Sequence, residues 1–572
     1  MPVICAADHD IRSKYANRLP ARVKLPDREW PSKEFTKPPA YMSVDLRDGN
    51  QSLPNPLTFD QRVEMFKLLV AIGFKEIEVA FPCASRTDYD FVRYLIETPG
   101  LVPEDVALQV ITPCREDAIQ TAVDSLRGAK RAIMMTYMAS SDNLRETVLQ
   151  LSEDEWIERA RRCTAFARSL LKDDPSVHAT NWTFNFGFED FANARPEAVL
   201  RCADAVLDEW DPTPAWPMIL GVAASVEVTT PNVFADQIEY FLRNVPRRND
   251  FRLTVHTHND RGGAVATAEL ACLAGADRVE GCLFGNGERA GNMDLVVFAL
   301  NLLTSGIDPG LDFSSLDTIR KVYEEMTKLP VHPRTPYSGD YYFRAFSGAH
   351  QDAISKGLKS RARGSHGDRP GLARWPAWRV PYLPLDPADV GRSLDCVVGI
   401  NSQSGKGGVA WILQHSLGLE IPADLARVFS KTVKEMSDRA GRGIPADELC
   451  LEFLKAHGGT TLTGGASVYR RSKLDTSCSM DKIVAAVLES PSAPHAIISR
   501  LLGLPKLSVT TTSQNMYGTV HLGEYAAYTK VALEGSGAQL WGVGFGENEN
   551  EAEARAILAA LLVGAFPAHL FQ

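Results

Sequence analysis

Two histidines stand one residue apart in VHTHNDRG (255–262), at the end of the apolar, β-branched run FRLTV. Such a run reads as a buried strand. Side chains alternate along a strand, so His256 and His258 share one side while Thr257 points to the other. One shared side suits two ligands of a single metal ion. A third ligand type stands in DLRDGNQ (45–51), where Asp48 follows another strand-like run with Arg47 beside it. Asp48 plus two histidines is an oxygen- and nitrogen-ligand set with open positions, suited to Mg, Mn or Zn acting as a Lewis acid. Arg47, always cationic, is placed to stabilise charge developing on an enolate or alkoxide oxygen. Further polar groups follow other strand-like runs: Glu189 after one, Glu288 and Asn292 after another.

These residues need a frame that brings strand ends together. From about residue 41 to 305, short β-rich runs alternate with amphipathic helical stretches. The strand candidates are 41–45, 75–79, 106–111, 131–136, 181–186, 217–223, 251–256 and 277–284. Eight β/α units over this length predict an α/β fold, a (β/α)8 TIM barrel at 41–310, with the site at the strands' carboxyl ends. A doubly wound open sheet is the alternative, and it would also gather the site there.

Around the barrel the texture changes. Residues 1–40 read as an N-terminal extension, 311–384 as a helical and loop-like linker, and 385–458 as a helical subdomain. Residues 459–572 open on the Gly/Thr-rich run GGTTLTGGAS (458–467) and continue as a small, shortened α+β domain. The basic stretch 359–379, broken by Gly and Pro, reads as a solvated loop rather than an RNA-binding patch.

At 572 residues the chain exceeds one ordinary core, and its net charge of -10 argues against a nucleic-acid partner. No apolar run is long enough to span a membrane, and the first twenty residues lack the core of a secretory signal. Ten cysteines without a CxxC pair predict reduced thiols, no structural zinc and a cytoplasmic location. Two glycine motifs are weak. GNGERA (285–290) fits a dinucleotide fingerprint but follows the eighth strand rather than the first, so a turn offering backbone access to a phosphate-bearing ligand is the better reading. NSQSGKGG (401–408) resembles a P-loop, but Gly407 stands where Ser or Thr should meet magnesium, so it reads as a turn.

With these residues assembled, the chain resembles the 2-isopropylmalate synthase family, the acetyl-CoA-dependent, Claisen-condensing barrel metalloenzymes. The segments that carry the resemblance include VDLRDGNQ, KEIEVAFP, VEVTTPNV, HTHNDRG, GADRVEGCLFGNGERAGN, AFSGAHQDAISKG and VPYLPLDP. It implies an acyltransferase that condenses acetyl-CoA with a 2-oxo acid to a 2-substituted malate and CoA. It places a divalent metal on Asp48, His256 and His258, with Asn292 a weaker ligand. Arg47 would stabilise charge on oxygen; Glu189, or His350 with Tyr382, would supply the base. His350 and Tyr382 are expected to reach across a homodimer.

The departures from the family cluster. Met135 stands where the family has His, and Gly187-Phe188-Glu189 replaces Ser-Pro-Glu. The run GVAAS replaces Asn-Leu-Pro-Ala-Thr, keeping a hydroxyl at Ser225, and Ala290 replaces Thr. The resemblance places Met135, Gly187, Ser225, Glu288, Ala290 and Gly291 around the oxo acid. Smaller and more apolar groups relax a small pocket. The expectation is therefore a paralogue recruited to a bulkier or aromatic 2-oxo acid in a specialised-metabolite pathway. The alternatives are a housekeeping leucine-pathway synthase with the same chemistry and a catalytically silent partner subunit. The Gly-Asn-Gly-Pro stretch usual in the family's regulatory domain is not found in the tail, which predicts weak or absent inhibition by leucine.

Overall fold

The computed structural model describes residues 23–362, 378–402, 404–457, 480–489, 493–501, 507–515, 525–533 and 539–563. The first 22 residues, the middle of the basic stretch and the Gly/Thr run lie outside the described residues. The chain divides into two compact units, 1–339 and 340–572.

In the first unit eight parallel strands close into a barrel, each paired with the next and the last with the first. They are β1 (Ala40–Ser43), β2 (Glu76–Ala80), β3 (Ala107–Pro113) and β4 (Arg131–Ala139), followed by β5 (Asn181–Glu189), β6 (Met218–Ala224), β7 (Phe251–Thr257) and β8 (Arg278–Gly281). All eight runs expected from sequence become strands, and the barrel replaces the open-sheet alternative. Helices α1 (Phe59–Ile72), α2 (Arg86–Glu97), α3 (Glu116–Leu126) and α4 (Glu153–Leu171) return the chain after β1 to β4. After β5 to β8 the same is done by α5 (Pro196–Trp210), α6 (Pro231–Asn244), α7 (Ala264–Leu273) and α8 (Leu295–Thr304).

Local sequence sets the helix ends. Thr58 and Gln61 form a reciprocal capping box at the start of α1, and Gly73 ends that helix at φ 112°. Asp294 caps α8 by accepting from the amides of Val296 and Val297 at 2.9 and 3.1 Å. Inside the barrel, Met42, Val44, Ile133, Ile219 and Cys282 form an apolar plug. Two residues further along β4 and β6 stand Met135 and Gly221, where the interior opens into a cavity.

The second unit holds helices α9 (Gly348–Ala362), α10 (Lys406–Leu417), α11 (Ala423–Ala440) and α12 (Ala446–His457). It ends in an antiparallel sheet of β9 (Leu507–Asn515), β10 (Tyr525–Leu533) and β11 (Gln539–Gly546) against α13 (Glu549–Val563). The alternation in LWGVGFG has a steric reason. A Cβ at Gly542 or Gly544 would meet the backbone of α13 at Ala556 or Ala552, whereas Val543 and Phe545 are buried between them. Lys406 opens α10 directly after Gly405, so Lys406, Gly407 and Gly408 of the run expected as a turn are the helix's first residues, and only the part before them leads into the helix.

Candidate active site

His256, next to last in β7, lies in register with Glu280 of β8. Their side chains meet at 3.1 Å, Nδ1 to Oε2. A carboxylate only accepts, so Nδ1 carries a proton and Nε2 is the nitrogen that faces inward. Burial lowers the ring's pKa, but the hydrogen bonds and charges of Asp48 and Glu280 raise it to about 10, so a metal would take the place of the Nε2 proton. That Nε2 lies 3.3 Å from His258 Nε2 and 3.4 Å from Asp48 Oδ2. Thr257 alternates away, donating from Oγ1 to Ala264 O at 3.1 Å. The two-histidine reading of the strand is therefore realised in space.

The ligand atoms of Asp48, His256 and His258 all lie within 4.8 Å of one another. Asp48 Oδ2, His258 Nδ1 and Asn292 Oδ1 are buried without hydrogen-bond partners among the described residues. Unpaired carboxylate and amide oxygens beside two imidazoles are costly in a buried pocket unless a cation satisfies them, so the donor set fits a divalent metal. Burial would raise the Asp48 carboxyl, but Arg47 and His256 hold it well below its ordinary range. Burial and the neighbouring His256 push His258 down to about 4, leaving it neutral, the form that binds metal.

Arg47 is held in place from two sides. Nη1 donates to Asp48 Oδ1 at 2.9 Å, and Nε donates to Glu78 of β2. Glu78 Oε2 accepts from Gln109 of β3 at 2.7 Å, and Gln109 Oε1 accepts from Arg278 Nη2 of β8 at 3.4 Å. Arg278 Nη2 also reaches Glu280 Oε1 at 2.7 Å, and Glu280 returns to His256. Seven side chains thus close a polar ring around the barrel interior. Arg278, Glu78 and Gln109 are fully buried, and each is satisfied by its neighbours, as buried polar groups must be. This ring was not read from the sequence. Its signal was present as charged or amide residues inside otherwise apolar strands: Glu78 in KEIEV, Gln109 in VALQVI, Arg278 and Glu280 in DRVEG.

A cavity of about 300 Å³ opens on this cluster. Arg47, Asp48, His256 and His258 line it together with Glu189, Glu288, Met135, Gly187 and Ser225. Burial and the charge of Asp190 raise the Glu189 carboxyl above its ordinary value, against the opposing pull of Arg47. Ser225 has its hydroxyl oxygen committed to structure, accepting from Asp190 N at 2.8 Å. Glu288 accepts from Gln51 Nε2 at 3.3 Å across the mouth. Phe81 and Tyr137, which sequence reading did not single out, line the cavity with their rings edge-to-face at 6.4 Å. Phe188 alternates outward from Gly187 and packs against Phe186, centroids 5.2 Å apart, so it does not fill the cavity.

Gly187 and Met135 are coupled. A Cβ at 187 would stand 2.5 Å from Met135 Cε and 3.3 Å from Tyr137 Cβ. The methionine already occupies the space that a side chain at 187 would take. In the loop after β8, Ala290 is exposed and Gly291 is buried at φ 98°, its O accepting from Asn259 N at 2.9 Å. A Cβ at Gly291 would collide with Gly285 O, and one at Gly287 with the Asn292 side chain. These glycines let the GNGERAGN loop fold on itself beside the histidines. In the second unit, His350 and Tyr382 stack at 3.9 Å and 16°.

The HMGL-like family matches residues 39–322, and the alpha-isopropylmalate synthase post-catalytic domain-like family matches 340–414. The chain is 59% identical to isopropyl malate synthase AMT7 of Alternaria alternata, over 98% of this chain and 94% of that protein. It is 52% identical to isopropyl malate synthase gloH of Glarea lozoyensis, covering 98% and 93% of the two chains. Against a 2-isopropylmalate synthase of Saccharomyces cerevisiae the identity is 42%, over 94% of this chain and 88% of the other.

Proposed function

The chain belongs to the isopropylmalate synthase family, and from that membership we propose that it condenses acetyl-CoA with a bulky or aromatic 2-oxo acid. The products are a 2-substituted malate and free CoA. The observation that carries this reading is one cavity in which Arg47 and Glu189 line the same space as the Asp48–His256–His258 cluster.

Asp48, His256 and His258, with Asn292 Oδ1 at hand, would hold a divalent cation, which would supply Lewis acidity toward the oxo acid. Arg47, oriented by Glu78 and Asp48, stabilises negative charge on the ketone oxygen as it forms. Glu189 removes a proton from the acetyl methyl group, and the resulting enolate carbon bonds to the ketone carbon. The new alkoxide takes up a proton, and water cleaves the thioester to give the carboxylate and CoA. The stacked His350 and Tyr382 serve as proton carriers in a cytoplasmic homodimer, each protomer's pair completing the cavity of its partner. Phe81, Ile111, Met135 and Tyr137 give the cavity its apolar wall, which suits an aromatic ring better than a small polar group.

Thiol release from acetyl-CoA, followed with magnesium across pyruvate, 2-oxoisovalerate, phenylpyruvate and 4-hydroxyphenylpyruvate, tests the reading. Preference for the aromatic acids supports it. Preference for 2-oxoisovalerate would replace it with the leucine-pathway reading. No release with any acid would leave the silent-subunit reading, although the intact cluster with Arg47 and Glu189 speaks against that.

A further inference from the structure

The two histidines of the cluster are held differently. His256 has Glu280 on its Nδ1 at 3.1 Å, whereas His258 Nδ1 is buried without a hydrogen-bond partner among the described residues. No bond to that nitrogen orients the second imidazole, so its place rests on its backbone. That backbone stands one residue beyond β7, where the loops after β6, β7 and β8 meet. His258 N donates to Ala224 O at 3.3 Å, and Asn259 N donates to Gly291 O at 2.9 Å.

Three charged residues clasp those loops together. Asp260, two residues after His258, accepts from Glu227 N at 3.0 Å. Arg289, in the loop after β8, grips Asp260 with a fork, Nε to Oδ1 at 2.6 Å and Nη2 to Oδ2 at 3.1 Å. Such a bidentate pair fixes direction as well as distance. Nη2 also donates to Ser225 O, in the loop after β6, at 2.5 Å. Glu227 is buried, and its Oε2 accepts from the amides of Arg261 and Gly263 at 2.6 and 3.2 Å. A Cβ at Gly263 would stand 2.3 Å from Oε1 of that anchored carboxylate, so glycine is what admits it. Arg289 itself takes φ 55°, a left-handed backbone that a residue with a side chain keeps only when its surroundings hold it there.

We propose that Asp260, Arg289 and Glu227 are positioning residues for the metal cluster. The clasp fixes the backbone of His258 and so holds its imidazole at the ligand position, the task that Glu280 performs for His256. This rests on the metal reading of Asp48, His256 and His258. Asp260 and Glu227 stand outside the cavity lining, so they act through the loop and not on substrate. Arg289 does line the cavity, and its side chain is 44% exposed. Partners that orient a ligand without touching the ion tune its affinity.

The test is the Mn(II) affinity of the full-length chain, treated with a chelator and titrated by calorimetry without either substrate. Arg289→Gln and Asp260→Asn should each weaken binding on the order of tenfold. The double variant should lose about as much as either single, because both break one clasp. Arg289→Lys keeps the charge but not the fork and should recover little. The exposure of Arg289 lets its variants keep the fold, so they decide the matter even where Asp260→Asn does not fold. Thermal denaturation alongside separates a merely structural role: a lower Tm with unchanged affinity would overturn the proposal. So would additive losses, or an Arg289→Gln that raises KM for the oxo acid with Mn(II) affinity intact, the mark of a group that meets substrate directly. A wild-type chain that binds no Mn(II) would overturn the metal reading, and the clasp's role with it.

Discussion

His256 and Glu280, register partners on neighbouring barrel strands, meet at 3.1 Å, so the ring's inward nitrogen is set by a carboxylate that never reaches the ligand position itself. Glu280 is in turn held by Arg278 and Thr254. Glu280→Gln keeps an acceptor but removes the charge. It is expected to weaken Mn(II) binding, followed by calorimetry, on the order of 10- to 100-fold. Unchanged affinity would show that packing alone orients His256.

The cluster itself makes a stronger demand. His258→Ala removes one of three ligands whose atoms lie within 4.8 Å, so bound metal and turnover should be lost together. Metal content by mass spectrometry and thiol release check this in one preparation. A variant that keeps both would remove the central claim.

Met135 and Gly187 should behave as a pair. Gly187→Ser puts a Cβ 2.5 Å from Met135 Cε, the flexible end of that side chain, and 3.3 Å from Tyr137 Cβ, so Met135 must swing aside and a loss of about 1 kcal/mol is expected. Met135→Ala/Gly187→Ser should recover part of that loss, a coupling that thermal denaturation of the single and double variants would reveal. Additive losses would mean that the two do not compete for space. Met135→His should move the substrate preference toward 2-oxoisovalerate.

Burial and Asp190 raise the Glu189 carboxyl above its ordinary value, so it ionises at a higher pH than an exposed glutamate. As the base, it makes kcat/KM fall as pH drops through that raised value. Asp190→Asn removes a negative neighbour, lowers the Glu189 pKa and should extend activity to lower pH. A pH–rate profile whose acid limb stays in place, or moves up, would contradict this.

Leucine should inhibit weakly or not at all. The described tail holds helices Met480–Leu488 and Pro494–Leu501 and a three-stranded sheet against which α13 packs through Gly542 and Gly544. A sharp fall in thiol release at micromolar leucine would refute the expectation.

Much of this was legible in the chain. The β-branched runs and the helical stretches between them identify eight β/α units because both periods arise from local geometry. HTH on a strand puts two imidazoles on one side for the same reason, and the observed Nε2 separation of 3.3 Å agrees. Glu280, Arg278, Gln109 and Glu78 were passed over because a polar residue in an apolar strand has no visible purpose until its partners, from other strands, are known. Met135 and Gly187 each read as a change that loosens the pocket. In space the methionine fills what the glycine vacates, so the two do not simply add.

The sequence by itself determined the alternation of strands and helices, the ligand types and the family, all of which depend on residue identity and short spacings. The tertiary structure alone decided which ligand atoms converge, which carboxylate turns His256 inward and which buried side chains hold Arg47. Those relations run between strands, from Asp48 to His256 and from Gln109 to Arg278. Barrel closure sets their distances, and no local pattern along the chain encodes them.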